Sequence, residues 1–370
     1  MSDLASSPGE AAAQLARECA EAATPPVVEA LAPLRDELLV VTGGTGFVGT
    51  WLAELVAHLN DAHAFRTRVT LVARRTDGFR ARSAHLASRP DVELVEQDIR
   101  DLVELPADTG WLVHAAGSPD NRVHASDPVR TLQTFVHGTD AVMRTAARLE
   151  HLRRVLHLSS GLVYGSQPLA LEAVREDYLG ATEFDAVVAT YPEAKRAAET
   201  VLAAHRSANR LNTVTVRPFA FLGPVQALSA PWAVNNFLQD ALHGGPIRIL
   251  GNAATVRSYL YPTDMAVWLL TALVRGRTGA AYNVGSQVGV TLRELADRIA
   301  AHAEGRVEVT EGGRGQRHTE PSRFLPDVSA ARSDLGVTET VDLDAAIRRT
   351  LAWHRATSAE RPATDALRAV

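Results

Sequence analysis

The sequence predicts an α/β fold: a doubly wound parallel sheet with flanking helices. Three observations predict it. Apolar stretches that read as strands recur at residues 38–41, 68–75, 92–98, 111–117, 154–160 and 213–217. The first, Leu38-Leu39-Val40-Val41, shows no polar alternation, as expected of a strand buried on both faces. Stretches with helical spacing alternate with these strands, at 51–59, 131–149 and 191–208. A glycine run of spacing GxxGxxG (Gly43, Gly46, Gly49) joins the first strand to the first of those helices.

Composition agrees with a soluble globular chain. At 370 residues there is material for two domains. Apolar residues make up 46% and charged residues 22%, both ordinary values, and the net charge of −5 offers no basic footprint for nucleic acid. One cysteine, Cys19, excludes an internal disulfide and a cysteine metal site and fits a reducing cytoplasm. No apolar run approaches the ~20 residues of a membrane span, and the N-terminus lacks the pattern of a signal peptide. The histidines are scattered without ligand spacing, so no metal is expected.

Residues 10–22 favour helix, Thr24-Pro25-Pro26 stops it, and residues 27–32 suggest a second short helix. This extension, 1–37, reads as an external clasp or part of a subunit contact. The strand–glycine turn–helix unit that follows is a Rossmann-type site for a dinucleotide, whose pyrophosphate would rest on the first-turn N–H groups of the helix. Gly43 permits the turn, Gly46 allows backbone approach and Gly49 allows close packing; Phe47 and Val48, between the last two, are counted with them as cofactor-binding residues. The second strand leads into Arg74 and Arg75, with no acid to accept from a ribose 2′-OH. A guanidinium suits a 2′-phosphate, so NADP(H) is favoured and NAD(H) remains possible.

The third strand ends in Asp98, which either accepts from the adenine amino group, with Ile99 over the ring, or caps a turn. In the fourth, Ala115 and Ala116 are small where a cofactor backbone would pass, and His114 reads as a structural hydrogen-bonding residue. The helix at 131–149 is expected to bury Leu132, Phe135, Val136, Val142, Met143 and Ala146.

The fifth strand ends in Ser159-Ser160. An irregular acidic loop, 168–188, leads to Tyr191-Pro192-Glu193-Ala194-Lys195, with Pro192 at a first helical position. The i,i+4 spacing places Tyr191 and Lys195 on one helix face. A phenol of ordinary pKa near ~10 exchanges protons poorly at neutral pH, and a nearby ammonium lowers that value. Ser160, Tyr191 and Lys195 are therefore the candidate catalytic set, with Lys195 also able to hold the nicotinamide ribose and Ser160 to bind the substrate oxygen.

These pieces, in this order, resemble an extended short-chain dehydrogenase/reductase of the nucleotide-sugar epimerase/dehydratase type. The resemblance covers roughly residues 38–355. It rests on TGGTGFVG (42–49), QDIRD (97–101), HAA (114–116), SSGLVYG (159–165), YPEAK (191–195), RPFAFLGP (217–224), RSYLYPTDMA (257–266), YNVGS (282–286) and RFLPD (323–327). It implies a dinucleotide-binding domain at 38–224, with 257–285 returning to it. A substrate-binding lobe would comprise 225–256 and 286–357, with a frayed tail at 358–370. Ser160 is chosen over Ser159 because the family's hydroxyl stands four residues before the tyrosine of VYG, here Tyr164. Pro218 would lie near the nicotinamide, Asn236 would bind the substrate phosphate or nearby groups, and Arg257 and Arg323 match pyrophosphate-binding positions. A homodimer through 131–149 and 191–208 is the family expectation. The chain departs from the family at Phe135, where Asn-Val-x-Gly-Thr has an asparagine, and at Ala220, where RxxN has another.

The resemblance also narrows the reaction. Related 4,6-dehydratases carry an Asp-Glu pair where Gly161 and Leu162 stand, and nucleotide-glucuronate decarboxylases carry a Glu at Leu162. The 3,5-epimerising relatives use a Cys–His pair, which Cys19, outside the sheet, cannot supply. What remains is NADPH-dependent reduction of the C4 ketone of a nucleotide-diphosphate-linked 4-keto-6-deoxyhexose, with the proton from Tyr191. The alternative is an NAD(P)-dependent 4-epimerase. The arginines after the second strand and the apolar Phe219, Phe221 and Leu222 favour the reductase. A non-catalytic nucleotide-binding scaffold is disfavoured because all three catalytic side chains are present.

Overall fold

The computed structural model describes residues 9–182, 186–312 and 320–359. The first residues of the extension, part of the acidic loop and most of the tail lie outside them. In chain order, α1 (Glu10–Ala22) and α2 (Pro25–Ala30) precede β1 (Leu38–Thr42), α3 (Phe47–His63) and β2 (Arg68–Ala73). Short helices α4 (Asp77–Arg82) and α5 (Ala84–Ala87) lead to β3 (Val92–Glu96), β4 (Thr109–His114), α6 (Asn121–Ser126) and α7 (Pro128–Leu132). Then come α8 (Gly138–Ala146), β5 (Arg154–Leu158), α9 (Thr190–Asn209), β6 (Thr213–Pro218), α10 (Ala233–Leu242), β7 (Ile247–Ile249) and β8 (Val256–Arg257). The last elements are α11 (Pro262–Arg275), β9 (Ala281–Val284), β10 (Val290–Thr291), α12 (Leu292–Ala301), β11 (Val309–Glu311), β12 (Arg323–Phe324), α13 (Ser329–Leu335) and α14 (Leu343–Ala359).

Seven strands form one parallel sheet in the order β3-β2-β1-β4-β5-β6-β9. β1 and β4 are buried at every position, so they carry apolar residues on both faces. The chain winds outward from β1 in one direction through β2 and β3, then crosses back to β4 and continues the other way. Between β1 and β4 the two winding directions diverge, which opens a crevice at the carboxyl ends of those strands. Two small sheets, β10-β8-β12 and β11-β7, stand apart from the main one.

Trp51, Leu52, Leu55 and Leu59 of α3 and Trp268, Leu269 and Leu273 of α11 fill one face of the main sheet. Val142, Met143 and Ala146 of α8 and Leu202 of α9 fill the other. A separate core unites Leu222, Phe237, Leu238, Ile299 and Leu351 in the C-terminal region. The sequence reading did not identify α11 as a helix; its nearly complete burial returns the chain to the sheet edge as β9.

The helical run expected at 131–149 begins at Pro128, where the Asp127 side chain caps it, and ends at Ala146. A π turn at Gln133–His137 interrupts it. One extra residue in a turn rotates the following face, so the expected stripe breaks at its start. Leu132 is 42% exposed, whereas Phe135, Val142, Met143 and Ala146 are buried. The helix carrying Tyr191 and Lys195 starts at Thr190, so Pro192 is its third residue, still within the first turn, where N–H groups lack intrahelical partners. Among the described residues no helix is long and apolar enough to cross a membrane.

Candidate active site

The crevice between β1 and β4 is shaped by glycines. Gly43 has φ +71°, and a Cβ there would meet the Ala115 carbonyl oxygen at 2.7 Å and Ala116 Cα at 2.7 Å. The turn therefore lies directly against the two small residues after β4. Gly46 precedes α3 with no side-chain cap, so the first-turn N–H groups of α3 receive no side-chain acceptor. A Cβ on Gly49 would overlap the Gly44 carbonyl, which shows that Gly49 serves the approach of the helix to the turn itself. Arg82 donates to the Thr45 carbonyl and fixes the turn from outside. An uncapped helix start behind a bare glycine turn fits the pyrophosphate of a dinucleotide.

At the far end of the crevice, Arg74, Arg75, Glu96, Gln97, Asp98 and Arg130 line an open pocket of about 650 Å³. The two carboxylates in it are engaged. Glu96 accepts from the Thr76 N–H at 2.8 Å and hydroxyl at 2.9 Å, which hold its pKa below the ordinary value. Asp98 accepts from Arg100 at 2.8 Å and caps the following turn, and the Arg100 guanidinium lowers its pKa. Ile99 is buried beneath α8, where a Cβ on Gly138 would come within 2.5 Å of its Cδ1. Its side chain, expected over the adenine ring, thus sits in the core instead.

Ser160, Tyr191 and Lys195 come together where β5 ends and α9 begins, all three buried. Ser160 accepts from the Leu162 N–H at 3.2 Å and stands beside the Tyr191 phenol. Burial pushes the Tyr191 phenol up to about 12, only partly opposed by Ser160. The Lys195 ammonium donates to the Leu158 carbonyl at 2.7 Å and sits 4.3 Å from the centre of the Phe135 ring. Burial pushes Lys195 down to about 7, with Glu199 opposing it. The spacing argument expected the ammonium to lower the phenol. Instead the ammonium lies 5.9 Å from the centre of the Tyr191 ring and is spent on a carbonyl, so burial governs both groups.

Behind this set runs a chain of polar contacts that the sequence reading did not assign. Ser159 donates to Glu199, which pairs with Arg217 at 2.7 Å. Arg217 donates to the Tyr164 oxygen at 2.9 Å, and the Tyr164 hydroxyl donates to Asn283 Oδ1 at 2.7 Å. Glu199 stands four residues beyond Lys195 on the same face of α9, a spacing that could have revealed it. His114 is structural, as expected: Thr42 lies 2.8 Å from Nδ1, Thr139 lies 3.1 Å from Nε2, and burial holds its pKa at about 3.

Gly161 has no room for a side chain, since a Cβ would meet the Phe219 ring at 2.8 Å. Phe219 in turn stacks on Phe324 at 4.7 Å. Phe221 stacks on Phe47 at 6.0 Å. Leu222, expected beside the sugar, is instead wholly buried in the core of the C-terminal region. Pro218 ends β6 and Asn236 is exposed on α10. Arg257 and Arg323 lie on the neighbouring strands β8 and β12, with Arg323 paired to Val256. Arg257 donates to the Val256 carbonyl at 2.8 Å and to the Ser322 hydroxyl at 3.0 Å, and burial lowers its pKa.

A crevice at the sheet's switch point behind a glycine turn, with Ser160, Tyr191 and Lys195 gathered at its side, is the arrangement of a Rossmann-type dinucleotide-binding fold. The chain belongs to the NAD dependent epimerase/dehydratase family, whose model matches residues 39–285. UDP-glucuronic acid decarboxylase 1 of Danio rerio is 26% identical over 328 residues, spanning 89% of this chain and 75% of that protein. Among solved structures, UDP-glucose 4-epimerase of Thermotoga maritima superposes with TM-score 0.71 at 20% identity, covering 87% of this chain and 99% of that one. DesIV of Streptomyces venezuelae, a dTDP-glucose 4,6-dehydratase solved with NAD, gives TM-score 0.72 at 24% identity, covering 86% and 97%.

Proposed function

We propose that this chain reduces the C4 ketone of a nucleotide-diphosphate-linked 4-keto-6-deoxyhexose, with NADPH as reductant. The observation that carries this reading is a buried Ser160–Tyr191–Lys195 set in which Gly161 and Leu162, not carboxylates, stand directly after Ser160. Phe219 fills the space beside Gly161, and Leu162 carries no proton. Elimination or decarboxylation needs further acid–base help that this stretch does not offer.

The glycine turn at Gly43, Gly46, Phe47, Val48 and Gly49 would hold the cofactor pyrophosphate, and Asp98 would stand at the adenine. Ala115, Ala116 and Pro218 would line the path to the nicotinamide, with Lys195 at its ribose. When bound, the cofactor supplies a hydride to C4. Ser160 hydrogen-bonds the ketone oxygen, and Tyr191 protonates it as the carbon is reduced. A phenol held up to about 12 keeps its proton at neutral pH, which suits an acid that donates. Lys195, near 7, is poised to return a proton to the phenolate. Asn236, Arg257 and Arg323 would take the phosphate end of the substrate. Two chains would associate through the helices at 131–149 and 191–208.

A second reading, 4-epimerisation, draws support from the family to which the chain belongs. The test is incubation with nucleotide 4-keto-6-deoxysugars and NADPH. The reductase consumes NADPH in step with ketone, and Tyr191→Phe lowers that rate by roughly 10²–10⁴-fold. Interconversion of nucleotide sugars with only catalytic cofactor would establish the epimerase instead.

A further inference from the structure

The Tyr191 ring lies face to face with an imidazole. Its centroid is 4.4 Å from that of His124, with the ring planes 21° apart. His124 comes from α6 and is itself pinned, with Nδ1 3.1 Å from the Thr131 hydroxyl. That hydroxyl donates its one proton to the Asp127 carbonyl at 3.0 Å, so it meets the ring as an acceptor and Nδ1 carries the hydrogen. Phe135 closes the group edge-on, 5.3 Å from Tyr191 and 6.0 Å from His124. Four side chains from α6, α7, the π turn and α9 thus form one packed unit around the phenol.

A buried phenol packed between His124 and Phe135 depends on these ring contacts for its direction. Removing one face of that cage lets the ring swing, and a shift of ~1 Å at a reacting group can cost about 10²-fold in rate. We infer that His124, anchored by Thr131, is a positioning residue that holds Tyr191 in line by ring stacking. This inference rests on the reading of Tyr191 as the proton donor.

The experiment compares His124→Ala, His124→Phe, Thr131→Val and Tyr191→Phe under ketone reduction, with kcat and KM measured separately. His124→Ala is expected to lower kcat by roughly 10–100-fold, with KM for sugar and for NADPH within about threefold of the parent. His124→Phe keeps a flat ring and is expected to recover kcat to within about fivefold. Thr131→Val removes only the anchor and falls between them, which keeps the test open should His124→Ala fold poorly. A loss in His124→Ala that phenylalanine does not rescue would overturn stacking in favour of an acting ring nitrogen. Parent-like kcat in both His124→Ala and Thr131→Val, beside an inactive Tyr191→Phe, overturns the inference alone. Full turnover in Tyr191→Phe overturns the reading on which it rests.

Discussion

Lys195 shows what one buried charge costs in stability. Its folded pKa is near 7 against an ordinary 10.5, so the folded chain sheds a proton that the unfolded chain keeps between those values. Where the unfolded state binds more protons, stability rises with pH. The parent should therefore gain stability from pH 7 towards 10.5, having carried the full burial penalty below 7. Tyr191 acts oppositely: held up to about 12 from 10, it makes stability fall with pH across that higher window. Lys195→Met removes the buried charge while filling its space. It should raise stability at pH 7 and below by roughly 1–3 kcal/mol, with the gain fading towards pH 10.5 and turnover abolished. Urea unfolding of both proteins at several pH values, without added nucleotide, measures this; a gain that stays constant across the window would contradict it. The i,i+4 spacing of Tyr191 and Lys195 was legible in the sequence because helix geometry fixes it. The direction of their pKa shifts was not, since it depends on burial by Phe135, His124 and the end of β5. His124 carries no local signal at all; only the fold brings α6 onto α9.

At the level of elements, the N-terminal helix is tied down by one buried polar group. Glu18 of α1 accepts from the Tyr261 hydroxyl at 2.5 Å and from Gln14 at 2.8 Å. Gln14 also donates to the Arg349 carbonyl at 2.9 Å, and Arg349 pairs with Glu21 at 2.7 Å. The helix therefore clasps α11 and α14 together, with Leu15 and Cys19 packed into the core beside α3. Burial raises the Glu18 pKa, which marks the cost of holding a carboxylate there. Glu18→Ala leaves the buried Tyr261 hydroxyl without its acceptor and should cost about 1–3 kcal/mol, lowering the melting temperature by a few degrees. Glu18→Gln, which keeps an acceptor, should recover part of it; an unchanged melting temperature in the alanine variant would refute the clasp. The sequence showed where α1 begins and ends, because its composition and the Pro25-Pro26 stop are local. It left its role open between clasp and subunit contact, because Tyr261 lies 243 residues away. The π turn after α7 was equally hidden: it inserts a residue without changing composition, and so shifted Leu132 from its expected burial to the surface.

For the whole molecule, the choice between reductase and epimerase is tied to whether the cofactor can leave. A reductase consumes its nicotinamide each turnover and must exchange it, whereas an epimerase gets its hydride back. The adenine-side pocket lies open, and it gathers Arg74 and Arg75 from the end of β2 with Arg130 from α7, an arginine that no local pattern could have placed there. The carboxylates in it are already bound by Thr76 and Arg100, which leaves the guanidinium groups to meet an incoming anion. A 2′-phosphate offers that anion and a 2′-hydroxyl does not, so the protein should bind NADPH more tightly than NADH. One charge-assisted bond to phosphate is worth about 1.5–3 kcal/mol. Arg74→Ala should therefore narrow the NADPH-to-NADH ratio by roughly 10–100-fold, and Arg130→Ala should narrow it further, with NADH affinity nearly unchanged. Titration of cofactor fluorescence against the parent and both variants gives the ratios directly. Equal affinities in the parent, or a ratio that neither substitution moves, would leave the arginines as solvated surface charge and shift the balance towards a retained NAD and the epimerase.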